Sequence, residues 1–114
     1  MFAQQNIIII IADDLGADYC GFTENATDTA KMPNIRSLLQ RGVRFKNAWA
    51  TPYCSSTRAG MLSGRYSFRT GVGTVIGGAG SADLDSAEIS IPDMLKGFAP
   101  LNYACANIGK WHIN

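Results

Sequence analysis

Asn6-Ile7-Ile8-Ile9-Ile10-Ile11-Ala12 is a continuous apolar run, and Asp13-Asp14-Leu15-Gly16 closes it with turn chemistry. An unbroken β-branched run of this kind fits a parallel strand buried on both faces. Residues 17–31 are polar and irregular and read as a surface loop. Pro33 suits a first helical position, and Ile35, Leu38 and Leu39 form one apolar stripe, so the pattern predicts a helix over about 33–41 with Gly42 past its end. Val43, Phe45 and Asn47 alternate with Arg44 and Lys46, which predicts a second strand leading into Ala48-Trp49-Ala50. Ser55 or Ser56 can cap a further helix running through Arg58, Met61 and Leu62 to Gly64. Gly71, Gly73, Gly77, Gly78 and Gly80 mark a mobile loop that matches no phosphate-binding pattern. Ser90 and Asp93 have capping-box spacing, with Pro92, Met94 and Leu95 continuing a short helix. Tyr103 to Ile108 reads as a third strand, with Gly109-Lys110-Trp111-His112 at its end. The order of strands and helices predicts an α/β fold, part of a mainly parallel mixed sheet flanked by helices.

Composition narrows the function. The 114 residues are 46% hydrophobic and 17% charged, a globular balance sufficient for one modest core. The formal charge is +1 and no basic stretch follows a phosphate backbone, which argues against nucleic acid. No apolar run approaches the roughly 20 residues of a membrane span. The run at 7–12 lacks a basic flank and a cleavage site, so it is a strand and not a signal peptide; residues 1–5 suit the remnant of a trimmed leader. Cys20, Cys54 and Cys105 are odd in number and lack CxxC spacing, against a disulfide framework or zinc knuckle. Asn25-Ala26-Thr27 matches a glycosylation sequon.

In a parallel sheet, ligands gather beyond the carboxyl ends of the strands. Asp13, Asp14, Cys54, Lys110 and His112 all follow predicted strands, which brings them to one edge. Adjacent carboxylates after a strand can ligate a hard cation; read alone, they equally suit a turn and cap. A cysteine at a helix start meets the positive end of the dipole, which lowers thiol pKa and can hold a sulfate or phosphate; its other reading is a buried, inert thiol. Arg58, one turn on, points back towards Cys54 and suits either an oxyanion or a surface ion pair. Lys110 and His112 share one face of an extended segment, where one holds an anion and the other moves a proton.

Taken together these segments resemble the N-terminal part of the type I, formylglycine-dependent sulfatases of the alkaline-phosphatase superfamily. The resemblance rests on Ile10-Ile11-Ala12-Asp13-Asp14-Leu15-Gly16, Met32-Pro33-Asn34-Ile35, Gly42 to Ala48, the segment from Cys54 to Arg65, and Gly109-Lys110-Trp111-His112. It implies hydrolysis of sulfate esters by a sulfuric ester hydrolase. Cys54 would be oxidised to formylglycine, and the gem-diol of its hydrate would attack sulfur. Asp13, Asp14 and residue 54 would bind a divalent cation, Ca2+ or Mg2+. Arg58 would steady the modified side chain, Lys110 would contact sulfate oxygens and His112 would assist collapse of the adduct. The implied partners are a sulfate-ester small molecule or a sulfated glycan, the remainder of the sulfatase chain and the formylglycine-generating enzyme. Family habit implies a periplasmic, secreted or lysosomal location.

Two departures accompany the resemblance. Ser56 stands where the family has Pro or Ala, and Thr57 replaces the usual Ser. Family members are also several times longer, so residues 1–114 are expected to form an incomplete N-terminal segment of the catalytic domain, inactive alone. Alternative readings are a phosphodiesterase or phosphonate monoester hydrolase of the same superfamily, and a non-catalytic fragment with unmodified Cys54.

Overall fold

Proline fixes φ and tolerates a missing amide donor at a helix start, so Pro33 opens α1, Pro33–Arg41. A computed structural model gives the structure of the protein and describes residues 5–22, 26, 29–98 and 102–113. Three further helices follow: α2 at Cys54–Ser63, α3 at Ser67–Thr70 and α4 at Ile91–Gly97. Gly64 ends α2 with φ 67°, a left-handed turn that a Cβ would strain. Gly42 follows α1 in an extended conformation instead. Ser90 and Asp93 build the expected capping box: Ser90 Oγ accepts from the Asp93 amide, and the Asp93 carboxylate accepts from the Ser90 amide. The short helix α3 was not legible in the sequence.

The described residues contain no strand, which corrects the α/β expectation. The segments at 6–12, 43–50 and 103–108 are irregular, without ladder hydrogen bonds. The physical reason is that a strand is a property of a pair: a β-branched run favours extended backbone, but only a neighbour's N–H and C=O groups make it a strand. The isoleucine run, expected to be buried on both faces, is exposed instead, Ile8 at 82% and Ile10 at 80%.

The chain divides into two units. One joins Met1–Ile7 to Ala50–Asn114, and the other is Ile8–Trp49. The first holds the core: Ala59 and Leu62 from α2 pack with Val72 and Ile113, flanked by Ile76, Leu84 and Trp111. Val72 and Ile76 come from the glycine-rich segment and join it to the core at those two points, while residues 77–80 are exposed. The sequon residues Asn25 and Thr27 lie outside the described residues.

Candidate oxyanion-binding corner

Helix α2 begins at Cys54 itself, with Tyr53 at the N-cap and no side-chain cap. The expected cap from Ser55 or Ser56 is therefore corrected: both serines lie inside the helix, buried, and bond elsewhere. Ser56 Oγ donates to the Tyr53 carbonyl at 3.1 Å and lies 2.8 Å from Thr51 Oγ1. Thr57 Oγ1 donates to the Thr51 carbonyl and accepts from the Thr51 amide, each at 3.1 Å. These hydroxyls tie the approach segment to the first turn of α2. Ser56, a departure from the family pattern, is thus part of the local scaffold.

The other wall comes from the end of the described chain. Ile113 is 2% exposed in the core, and its carbonyl accepts from the Leu84 amide at 2.8 Å. That anchor fixes the preceding residue, His112, whose backbone is left-handed with φ 58°. Its Nδ1 lies 3.2 Å from Cys54 Sγ and 3.4 Å from Ser55 Oγ. Ser55 Oγ also accepts from the Ile76 amide at 3.2 Å, so the glycine-rich segment braces the same corner. Arg58 is buried, and its Nη1 donates to the Lys110 carbonyl at 2.6 Å.

The structure therefore brings Cys54 and His112 together at the start of α2, and joins Arg58, one turn on, to the backbone of Lys110. The contact between Cys54 and His112 spans 58 positions of sequence. Sequence reading missed Thr51, Ser55 and Ile76 in this site; the cluster of hydroxyl residues at 51–57 was the available signal. The Lys110–His112 face expected of an extended segment is broken by the left-handed His112.

The chemistry of the corner is that of an anion holder. The first-turn amides of a helix lack intrahelical acceptors and sit at the positive end of the dipole. No acidic residue occupies the first turn of α2. The His112 imidazole stands beside Cys54 and Ser55 of that first turn, and the Arg58 guanidinium is held at the Lys110 carbonyl, two positions before His112, so an oxyanion at the helix start meets amide and imidazole donors.

A metal centre does not fit. Asp13 and Asp14 form a turn in the Ile8–Trp49 unit, with Asp14 left-handed at φ 55°. Among the described residues no group of three or more His, Cys, Asp or Glu side chains could hold a metal ion. Calcium needs about 6–8 oxygen ligands, and a thiol is a poor donor for a hard cation. The Ca2+ or Mg2+ site expected at Asp13, Asp14 and Cys54 is corrected accordingly.

The profile of the sulfatase family matches residues 5–114. Arylsulfatase D of Homo sapiens is 39% identical over 114 residues, covering 94% of this chain and 18% of that protein. Steryl-sulfatase of Homo sapiens is 36% identical over 118 residues, covering 97% and 19%. N-acetylgalactosamine-6-O-sulfatase of Bacteroides thetaiotaomicron is 37% identical over 110 residues, covering 95% and 20%. The chain thus spans about a fifth of the length of these relatives. No solved structure matches the chain.

Architecture and chemistry correct what the resemblance implied. With no strand among the described residues, the alkaline-phosphatase-like sheet that would present a formylglycine and its cation is not formed. Without a donor set for the cation, the metal-assisted hydrolysis expected of a sulfuric ester hydrolase, and of the phosphodiesterase alternative, has no support in this chain.

Proposed function

The chain belongs to the sulfatase family, and we propose that it recognises a sulfate ester, binding the sulfo group at the corner formed by Cys54, Ser55, Arg58 and His112. The observation that carries this reading is the 3.2 Å contact between Cys54 Sγ and His112 Nδ1 at the start of α2. It places an imidazole beside first-turn amides in a helix whose first turn carries no acid. A sulfo group presents three oxygens, which suits first-turn amides with an imidazole beside them, and the Arg58 guanidinium, held at the Lys110 carbonyl, adds positive charge to that part of the chain. Cys54 serves here as a thiol, a neighbour of the anion.

The relatives' names support sulfate over other tetrahedral anions, and both a small sulfate ester and a sulfated glycan fit the reading. The second partner we propose is further sulfatase-family chain, with residues 1–114 as the N-terminal segment of a larger domain. The exposed Ile7 to Ile11 run and Val43, Phe45 and Trp49 are apolar surface for such chain to cover. A periplasmic, secreted or lysosomal site of action belongs to the same proposal and is tested by fractionation of the host.

The test is titration of the full chain with 4-nitrophenyl sulfate and with 4-nitrophenol, read by calorimetry. The ester is expected to bind and the alcohol to bind far more weakly. H112A should weaken the ester about tenfold, equivalent to about 1.4 kcal/mol. Equal binding of ester and alcohol, or an undiminished H112A, overturns the proposal.

A further inference from the structure

The Ile8–Trp49 unit carries a groove of its own, with a volume of about 470 Å³, lined by Gly21, Phe22, Arg36, Leu39, Arg44 and Lys46. Three of these are cations. Two of them are held in place by one aromatic ring: the guanidinium carbons of Arg36 and Arg44 lie 5.6 and 5.8 Å from the centre of the Phe22 ring. A ring face attracts guanidinium groups and orients them. Arg44 is fixed further, because its Nη2 donates to the Phe22 carbonyl. Arg36 packs against Gly21, where a Cβ would come within 3.2 Å of its Nη2. Gly21 has φ 65°, so the turn and the close approach both require glycine.

Among the described residues, no carboxylate pairs with Arg36, Arg44 or Lys46. Cations gathered in one groove repel each other, and an anion placed between them removes that repulsion while accepting the forked N–H donors of arginine. The volume is in the range of small-ligand sites, and Leu39 gives the groove an apolar wall.

We propose that this groove is a second anion-binding site, and that the anion is a sulfo group, an identity that rests on the function proposed above. It is separate in sequence from the Cys54 corner and stands on its own observations. The sulfo group comes either from free sulfate or from a sulfated glycan, and the two sources are separable by titration.

The experiment uses the full chain carrying H112A, which weakens the Cys54 corner about tenfold and leaves the groove residues intact. Chondroitin 6-sulfate tetrasaccharide is titrated by calorimetry, alongside its desulfated form. The sulfated probe should bind at least tenfold more tightly than the desulfated one. R36Q/R44Q should lower that affinity tenfold or more. K46E should do the same; it alters an exposed side chain, and circular dichroism confirms its fold. Competition by sodium sulfate at millimolar concentration would assign the site to the free anion; failure to compete would assign it to the glycan-borne group. Equal binding of sulfated and desulfated probes overturns the proposal, as does unchanged affinity in folded K46E. If the groove variants are silent while H112A abolishes binding in the wild-type groove background, the Cys54 corner stands and the groove proposal falls.

Discussion

His112 holds a left-handed backbone that residues with a Cβ avoid, and it does so beside Cys54. Adopting that region costs a non-glycine residue about 1–2 kcal/mol. Here the cost is offset by Ile113, whose burial and bond to Leu84 dictate where the preceding residue lies. Two variants separate strain from chemistry. H112A removes the imidazole and keeps the strain, whereas H112G removes both. H112G is expected to be more stable than H112A by about 1 kcal/mol in urea unfolding, with both equally impaired in binding 4-nitrophenyl sulfate. Equal stability would show that the backbone at 112 is not strained in solution. Cys54, Arg58, Lys110 and His112 were legible as candidates because their residue types and order carry the resemblance. Their arrangement was not legible: the extended reading of 110–112 rests on the two-residue spacing of Lys110 and His112, while the left-handed backbone at His112 precedes a core contact of Ile113 that spacing does not encode.

The helices show which local signals suffice. In α4 the Ser90 and Asp93 pair made the N-terminus readable, because both reciprocal bonds are formed within four residues. S90A removes the cap and should destabilise the chain by about 1 kcal/mol in urea. The bonds from the Ser90 side chain and then its backbone amide hold the Asp93 carboxyl below its ordinary value. A depressed carboxyl contributes stability that is fully present above the ordinary carboxylate value and is lost as pH falls through the folded value. Acid titration followed by circular dichroism should therefore show helix loss in the wild type at low pH, and S90A should lose that part of the pH dependence. A pH profile identical in the two proteins would dissociate Asp93 from the cap. In α2 the same logic of hydroxyl spacing misled, since Ser55 and Ser56 have capping chemistry but are claimed by Ile76, His112, Thr51 and Tyr53. The competitor lies in one case 21 positions away, beyond any local pattern.

At the scale of the whole chain, the sequence's strongest apolar signal and the structure's core are different residues. The apolar run at 6–12, the alternation at 43–47 and the segment at 103–108 together predict a sheet, the first because such a run usually sits between two covered faces. The core is instead built by Ala59, Leu62, Val72 and Ile113, which no single periodic stretch announces. Burial then decides which substitutions matter. L62A removes apolar contacts from a core of few members, and core truncations of this type cost about 2–5 kcal/mol. Ile8 and Ile10 are exposed, so I8E and I10E should each change stability by less than about 0.5 kcal/mol, measured by the same urea unfolding. The two results together are decisive, because a buried strand at 6–12 would reverse their order: a carboxylate forced into an apolar interior is far more damaging than a truncated leucine. The exposed isoleucines also favour association with any apolar partner. I8E and I10E should therefore lower concentration-dependent self-association in sedimentation velocity while leaving the unfolding midpoint in place. Collapse of the fold in I8E would restore the buried strand to residues 6–12.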